Sequence, residues 1–330
     1  LSILLYNEAN KLGLVKNSVS VALNITVADG GEDGHIRWQN NIEFTDWIPN
    51  RYTLFQVKAT DMPPATCKQE VLGSNGLLKP RVEDVITAQG SYILFHNREL
   101  NQQQILQRIE AFEESITSII HDANPSIEIY DASKIAQWCN QYISAIYAVW
   151  EWNGKSILMG SKTWGAWNGH REFQSEFIST YEMEQRIRDL RDYLSDERKV
   201  ARIIGLPGKG KTRLALEVFR SDGNIELEAL NRSVIYIDAT YSKDSIFSSI
   251  ISWRNLGISG VIVVDNCDYE LHKMLKSEVE HIESKFSLLT LDYNLHSSTS
   301  SDPLINLEDV PHEIIEGIIK NSYPEMDEGD

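Results

Sequence analysis

The sequence predicts an α/β protein with two domains, in which strands and helices alternate along the chain. Short runs of apolar and β-branched residues, such as 91–96 and 261–264, are typical of buried strands. Segments with apolar residues at helical spacing, such as 101–120, lie between such runs. A length of 330 residues fits two domains better than one. Alternation of this kind favours sheets that are covered by helices.

The first half of the chain predicts a domain built around a mixed sheet. The predicted helices span 3–13, 81–89, 101–120 and 131–148, and the predicted strands span 19–28, 35–38, 53–59, 91–96 and 126–130. Asp131 is a suitable N-cap for the last of these helices. Five of the eight tryptophans lie between 138 and 167, so we interpret 150–170 as an irregular aromatic segment that closes the domain. We therefore expect the first domain to span 1–170.

The second half predicts a linker helix followed by a parallel-sheet domain. Residues 171–197 form the expected linker, because apolar residues share one face of a helix over 180–195. The second domain is expected to span 198–330. Its predicted strands span 200–204, 233–238, 260–265 and 286–291, and its predicted helices span 211–220, 244–254 and 310–320.

The composition narrows the possible function classes. The formal net charge is −17, and residues 1–170 carry 13 Lys and Arg against 18 Asp and Glu, so bulk charge does not predict a nucleic-acid binder. We find no apolar run long enough for a membrane span, and no signal peptide. Cys67, Cys139 and Cys267 form no CxxC pair, which indicates free thiols in a reducing compartment. We therefore expect a cytoplasmic protein with no membrane partner.

A phosphate-binding motif opens the second domain. Residues 205–212, GLPGKGKT, match the pattern G-x-x-x-x-G-K-[ST] between a predicted strand and a predicted helix. Glycines let consecutive backbone N–H groups surround phosphate oxygens, and the helix N-terminus adds a positive field. Lys211 is expected to contact the β- and γ-phosphates, and the Thr212 hydroxyl to bind Mg²⁺. The predicted nucleotide-binding residues are Gly205, Gly208, Lys209, Gly210, Lys211, Thr212, Arg213 and Asp265.

The expected acidic partner of this motif lies in VIVVDNCD, residues 261–268. Four apolar residues predict a central parallel strand, and Asp265 at its carboxyl end is placed to hold Mg²⁺. The next residue is Asn266, where an acid that activates water is common in such hydrolases. We therefore expect slow or absent hydrolysis, unless Asp268 supplies the missing acid.

This half of the chain resembles the signalling NTPases with numerous domains, the STAND class, which includes NLR-like immune sensors. The resemblance rests on GLPGKGKT and VIVVDNCD within 180–330. It implies that ATP and Mg²⁺ are held as a switch and that the protein oligomerises when a sensor region meets its trigger. The chain begins with Leu1 rather than Met and ends before the lid and sensor of that class, so we expect it to be part of a longer protein.

A second set of polar residues lies in the first domain, in DGGEDGHIRW (29–38) and LFQVKAT (54–60). Gln56 and Lys58 are two residues apart on a predicted strand, so they share one face of the sheet. Metal-dependent cleavage of a phosphodiester needs acids that hold Mg²⁺ and a cation near the attacking water. Asp33 or Asp29, both next to the glycine turn, could supply the carboxylate.

These two motifs resemble the PD-(D/E)xK restriction-endonuclease-like superfamily, in its Mrr-like and Cap4-like branch. The resemblance implies a restriction-endonuclease-like fold in which Asp33 binds Mg²⁺ or Mn²⁺, Gln56 takes the place of the usual acid and Lys58 is the catalytic lysine. Glu8, on the first predicted helix, fits the position of a further acid and metal ligand in that family.

The order of the two domains resembles bacterial antiviral STAND proteins, the Avs type, which carry an effector ahead of the NTPase. This resemblance implies cleavage of double-stranded DNA, a homo-oligomer such as a tetramer, and a phage protein as the trigger, bound by a C-terminal sensor. Two alternatives stay open. One is a regulatory NTPase whose first domain binds nucleic acid or a partner without cleaving, and the other is a motor-driven restriction subunit.

Overall fold

The computed structural model describes residues 1–14, 18–21, 32–169, 177–220, 230–241, 243–293 and 303–307. The chain divides into two compact units, Leu1–Asn140 and Gln141–Asp330. The break therefore lies 30 residues before the boundary that the sequence predicts. Among the described residues, no helix combines the length and the apolar character that a bilayer crossing requires.

The first unit is built on a mixed sheet, as predicted. Its helices are α1 (Ser2–Lys11), α2 (Pro64–Glu70), α3 (Pro80–Thr87), α4 (Gln102–Thr117) and α5 (Ala132–Cys139). Its strands are β1 (Val19–Val21), β2 (Gly34–Arg37), β3 (Tyr52–Lys58), β4 (Ser91–His96) and β5 (Ser126–Tyr130). The described strands follow the order β1-β2-β3-β4-β5, with antiparallel pairs from β1 to β3 and parallel pairs from β3 to β5.

Both faces of this sheet are covered, because its central strands are apolar on both sides. All six residues of β4 are buried. One face packs against α2, α3 and α4 through a core that includes Leu54, Phe112 and Leu94. The other face carries an aromatic cluster in which Trp138 of α5 stacks on Trp47, with ring centroids 5.7 Å apart. Helix α4 begins at a capping box. The Asn101 side chain accepts a hydrogen bond from the N–H of Gln104, and the Gln104 side chain accepts one from the N–H of Asn101.

Two elements of this unit differ from the prediction. Asp131 caps a helix, as expected, but that helix ends at Cys139 and a separate helix starts at Ile143, so 131–148 is not one helix. The break between the two helices is also where the two units divide. Helix α2 is absent from the prediction, because two consecutive prolines, Pro63 and Pro64, are more typical of a loop. Proline is, however, well accommodated in the first helical turn, where its missing N–H costs no bond.

The second unit contains a mostly parallel sheet. Its helices are α6 (Ile143–Trp152), α7 (Trp164–Asn168), α8 (Tyr181–Ser195), α9 (Lys211–Val218), α10 (Lys243–Asn255) and α11 (Tyr269–Val279). Its strands are β6 (Ser161–Thr163), β7 (Val200–Ile204), β8 (Val234–Asp238), β9 (Ser259–Asp265), β10 (Lys285–Asp292) and β11 (Leu304–Asn306). The described strands follow the order β11-β7-β10-β9-β8-β6, and only β6 runs antiparallel to its neighbour. Helices α8 and α9 cover one face, and α6, α10 and α11 cover the other.

Residues 141–169 belong to this second unit rather than to the first. Strand β6 pairs with β8, and the buried side chains of Ile143 and Tyr147 extend the core beneath α10. The predicted linker helix is likewise part of the unit, because Ile187, Leu190 and Leu194 pack into the core beside α9. Both corrections have one cause: amphipathic pattern identifies an apolar face but not the sheet on which that face packs. The segment 150–170 is not irregular as predicted, because it contains the end of α6, strand β6 and helix α7. Strand β11 and helix α11 are also absent from the prediction.

The predicted helix 310–320 and the part of the predicted strand beyond residue 21 lie outside the described residues.

Replacing Trp138 with alanine is expected to destabilise the first unit by about 3–5 kcal/mol. The side chain is fully buried and contacts Phe55, Phe95 and Tyr130, so its removal leaves a large cavity. Urea unfolding followed by far-UV circular dichroism measures the change. Trp152→Ala is the control, because that side chain is 74% exposed. A loss below about 1 kcal/mol for Trp138→Ala would contradict the packing described.

Candidate functional site

The phosphate loop of the second unit connects the carboxyl end of β7 to the first turn of α9. Gly208 and Gly210 have φ angles of +81° and +85°, the left-handed region that side chains other than glycine rarely adopt. Gly210 is the N-cap of α9, so the loop closes directly onto a helix N-terminus. Gly205 starts the loop, where its N–H donates to the carbonyl of Asp292 at 3.2 Å. The backbone therefore has the curvature that a phosphate-binding loop requires.

Lys211 bends back over this loop. Its Nζ donates to the carbonyl oxygens of Gly205 at 2.8 Å and Leu206 at 3.1 Å. Burial lowers the pKa of the Lys211 ammonium, and the nearby carboxylates of Asp265 and Asp292 oppose this effect. Neutral carbonyls are weaker partners for an ammonium than phosphate oxygens are. The lysine is therefore placed at the mouth of the loop with partners that phosphate can replace.

Thr212 and Asp265 are brought together, as the motifs predict. The Thr212 hydroxyl donates to Oδ2 of Asp265 at 2.7 Å, although 53 residues separate them in the chain. The Tyr236 hydroxyl donates to the same oxygen at 3.0 Å, and the backbone N–H of Asn266 donates to Oδ1 at 2.8 Å. A hydroxyl beside a buried carboxylate is an oxygen pair of the kind that Mg²⁺ takes alongside phosphate. These residues fit a magnesium–nucleotide site.

The residues that follow Asp265 are held in defined positions. Asn266 has a φ angle of +53°, and its Nδ2 donates to Oδ1 of Asp238 at 2.9 Å. Asp268 caps α11 by accepting from the N–H of Leu271 at 2.9 Å, and its other oxygen accepts from Lys243. The hydrogen bond from Lys243 lowers the pKa of the Asp268 carboxyl. Asp268, the alternative acid of the sequence analysis, therefore has both oxygens engaged.

The two other basic residues of the motif have different surroundings. Arg213 forms an ion pair with Glu217 one turn later on α9, at 2.7 Å, and its guanidinium lies 5.6 Å from the centroid of the Phe177 ring. Lys209 is half-buried, and its N–H donates to the Leu206 carbonyl at 3.3 Å. Arg213 is thus held along α9 by its ion pair with Glu217, whereas Lys209 is part of the phosphate loop.

A buried ion pair lies next to the start of the phosphate loop. The sequence analysis did not identify it. Arg202 of β7 and Asp292 at the end of β10 are 2.6 Å apart and almost fully buried. Arg202 also donates to the carbonyl of Cys267, so it joins β7 and β10 to the segment after β9. A charged residue inside the apolar run VARII was the available signal, because a charge in a central strand needs a partner.

In the first unit, the structure joins Asp33 to the predicted QVK strand. Asp33 precedes β2, and its N–H donates to the Phe55 carbonyl at 3.0 Å. Its Oδ2 accepts from Gln56 Nε2 at 2.5 Å and from the N–H of Val57 at 2.7 Å. Gln56 is 5% exposed, so this carboxylate–carboxamide pair lies at the edge of the core.

Lys58 lies beyond Gln56 on the same face of β3 and forms an ion pair that the sequence did not predict. Its Nζ is 3.0 Å from Oε1 of Glu70 on α2. Lys79 Nζ lies 2.8 Å from the same oxygen. The Glu70 side chain is only 12% exposed, so two ammonium groups share one largely buried carboxylate. Helix α2 was not predicted, and Glu70 was missed with it.

Glu8 has a different environment from the other predicted residues. It is fully buried, and its Oε1 accepts a hydrogen bond from Trp138 Nε1 at 3.2 Å. Trp138 packs on Phe55, whose side chain projects from the face of β3 opposite to that of Gln56. This contact ties α1 to α5. Asp29 and the two glycines after it lie outside the described residues. The described residues contain no group of three His, Cys, Asp or Glu placed to hold a metal ion.

Comparison with known proteins gives matches among solved structures alone: no family model and no curated protein matches the chain. PCH-2 from C. elegans is 12% identical over 47% of this chain, with a TM-score of 0.34. A signal transduction ATPase with numerous domains and a tetratricopeptide repeat sensor, from Pyrococcus horikoshii, is 14% identical over 46% of this chain, with a TM-score of 0.30. Trip13 from Rhizobiales is 12% identical over 56%, with a TM-score of 0.27.

These three matches span 52%, 26% and 65% of the matched chains, in that order, so each covers less than two thirds of the protein compared. All three TM-scores lie below 0.5. The function is therefore inferred from the geometry of the chain's own residues.

Gly210→Ala is expected to destabilise the second unit by about 1–2 kcal/mol, because alanine is unfavourable in the left-handed region. A Cβ at this position meets no atom within 4 Å, so the cost lies in the backbone alone. Gly165→Ala on α7 is the matched control, since that site is equally open and its φ is not left-handed. Chemical denaturation compares the two variants, and equal stability would argue against the loop conformation.

Proposed function

We propose that the second unit binds a nucleoside triphosphate together with Mg²⁺ and uses it as a switch. The observation that carries this proposal is the Thr212–Asp265 hydrogen bond beneath a glycine loop whose lysine, Lys211, bends back over it. Three requirements for binding a metal–phosphate group are thus met at one place. They are a glycine loop that curves around phosphate, the Lys211 cation, and the oxygen pair of Thr212 and Asp265 for the metal. ATP is the proposed nucleotide.

Each residue has a defined role in this proposal. Backbone N–H groups of the glycine loop and of the N-terminus of α9 bind phosphate oxygens. Lys211 neutralises the terminal phosphates, and Thr212 with Asp265 holds the metal. Mg²⁺, when bound, neutralises charge on the β- and γ-phosphates. Because Asn266 occupies the position of a common activating acid, the unit is proposed to turn over slowly, which suits a switch better than a motor.

Lys211→Ala is expected to weaken ATP affinity by at least about tenfold, because one charge-assisted contact to phosphate contributes about 1.5–3 kcal/mol. Isothermal titration calorimetry with Mg²⁺ present measures the affinity of both proteins. Lys285→Ala serves as the control, since Lys285 is exposed at the opposite, amino-terminal end of the parallel strand β10. Equal affinity of the wild type and Lys211→Ala would refute the assignment of the loop.

We further propose that the first unit is a metal-dependent DNA endonuclease. The observation that favours it is the pair formed by Asp33 and Gln56, with Lys58 two residues further on the same face. Asp33 would bind Mg²⁺ or Mn²⁺, and Lys58 would stabilise negative charge near the attacking water. Glu70 holds Lys58 in place through their ion pair, and thereby limits its rotamers. Glu8, the further acid that the resemblance implies, is left out of the proposed site because it bonds to Trp138 on the opposite side of β3.

The proposed activity of the whole protein combines the two units. Bound ATP would allow copies of the chain to assemble after a C-terminal region senses a phage protein, and the assembly would cut double-stranded DNA in the bacterial cytoplasm. Residues 1–170 carry a net charge of −5, so a single copy would capture DNA poorly. Several copies could form a joint groove and place two sites on opposite strands. In the alternative function, the first unit binds nucleic acid or a partner without cleaving it.

Asp33→Ala and Lys58→Ala are each expected to slow plasmid cleavage by about 100-fold or more, through loss of a metal ligand and of charge stabilisation. Cleavage is measured on supercoiled DNA with Mg²⁺ or Mn²⁺, using the activated full-length protein. Lys79→Ala is the matched control, because Lys79 pairs with the same carboxylate, Glu70, but is not on β3.

The control variant separates the two candidate functions. Loss of cleavage in Asp33→Ala and Lys58→Ala, with Lys79→Ala near wild type, supports a nuclease. Wild-type cleavage by both site variants would place the active site elsewhere. No cleavage by the wild type, with retained DNA or protein binding, would favour the regulatory alternative.

A further inference from the structure

The segment after β9 raises a question about how bound nucleotide could be hydrolysed. Asn266 stands where an activating carboxylate is expected, and an amide cannot accept a proton at neutral pH. A carboxylate near Asp265 could supply the missing proton acceptor. The following inference rests on the proposed binding of nucleoside triphosphate by the second unit.

Asp238 is the carboxylate that the sheet register sets directly opposite Asp265. It is the last residue of β8, it is paired with Asp265 across the parallel strands, and the N–H of Ala239 donates to the Asp265 carbonyl at 2.9 Å. Neighbouring strands lie about 4.8 Å apart, so the two residues stand side by side at the carboxyl edge. This edge is where ligands bind in open α/β sheets.

The Asp238 side chain projects from the same face of the sheet as the phosphate-binding residues. Tyr236 lies two residues earlier on β8, and its hydroxyl donates to Asp265 Oδ2, which also accepts from Thr212. Alternation along the strand places Asp238 and Tyr236 on one face. Asp238 is therefore on the side of the sheet that carries α9 and the phosphate loop.

The orientation of the Asp238 carboxylate is set by two hydrogen bonds. Asn266 Nδ2 donates to Oδ1 at 2.9 Å, and the backbone N–H of Thr240 donates to the same oxygen at 3.0 Å. Within the described part of the chain, both bonds fall on Oδ1, so Oδ2 can accept from water. Asn266 adopts a left-handed φ of +53° to make its bond, and uncommon backbone conformations of this kind cluster at functional sites.

Asp268 is a poorer candidate for the same task. Its two oxygens accept from the N–H of Leu271 and from Lys243, and the Lys243 bond lowers the pKa of its carboxyl. A carboxylate that caps a helix and pairs with an ammonium is both occupied and less basic.

We propose that Asp238 is the general base of nucleotide hydrolysis and that Asn266 is its positioning residue. Asp238 Oδ2 accepts a proton from water as the water oxygen bonds to the γ-phosphorus. The bond from that phosphorus to the β,γ-bridging oxygen breaks at the same time, and the nucleoside diphosphate leaves with the electron pair. The function that other hydrolases place directly after the metal-binding aspartate is here supplied by the neighbouring strand.

The test compares Asp238→Asn with Asp268→Asn, using ATP and Mg²⁺. Asparagine keeps the shape of each side chain and the ability of residue 268 to cap α11. Steady-state phosphate release is expected to fall by about 100-fold or more in Asp238→Asn, the usual contribution of a general base, and to change less than about threefold in Asp268→Asn. ATP affinity, measured by calorimetry, is expected to stay within about threefold of wild type in both variants. Asp238→Ala with added formate should recover turnover in proportion to formate, which a purely structural role would not allow.

The outcomes separate this inference from the proposed function. Absence of ATP binding by the wild type would refute the nucleotide site itself. Normal binding with equal phosphate release by wild type and Asp238→Asn, whether that release is measurable or nil, would overturn the role of Asp238. A loss of turnover confined to Asp268→Asn would assign the base to Asp268 and would also overturn it.

Discussion

The second unit depends above all on the hydrogen bonds that the Asp265 carboxylate receives. This group is 7% exposed, and a buried carboxylate is costly unless donors surround it. Its donors are the Thr212 hydroxyl, the Tyr236 hydroxyl and the N–H of Asn266, which belong to α9, β8 and the end of β9. Satisfying one carboxylate therefore sets the position of the phosphate helix relative to two strands.

A second buried carboxylate, that of Asp292, supports the start of the phosphate loop. The Arg202–Asp292 pair joins β7 to β10, and the backbone of Asp292 accepts from Gly205 at the start of the phosphate loop. Breaking a buried pair by removing one partner usually costs about 3–5 kcal/mol, so neither residue is easily replaced alone. The start of the loop thus bonds to Asp292 of β10, and Thr212, which follows the loop, bonds to Asp265 of β9.

The candidate site of the first unit is assembled differently. Asp33 and Gln56 meet because β2 and β3 are antiparallel neighbours, and Lys58 is held by Glu70 from the helix that follows β3. Residue spacing could not predict the Lys58–Glu70 ion pair, because Glu70 lies on a helix that begins with prolines. The Glu70 carboxylate, which pairs with both Lys58 and Lys79, holds the proposed catalytic lysine in a fixed position. Lys79 is therefore a suitable position for a control substitution.

Local pattern in the sequence determined most elements of secondary structure and the place of the phosphate motif between a strand and a helix, because each depends on residues close in the chain. Strands 91–96, 126–130 and 200–204 were predicted to the residue. Tertiary structure alone decided that 141–169 and α8 pack in the second unit, that Glu8 bonds to Trp138, and that Asp238 stands beside Asp265. The physical reason is that apolar periodicity identifies a buried face, whereas its partner is selected by strand order and packing over long separations in the chain.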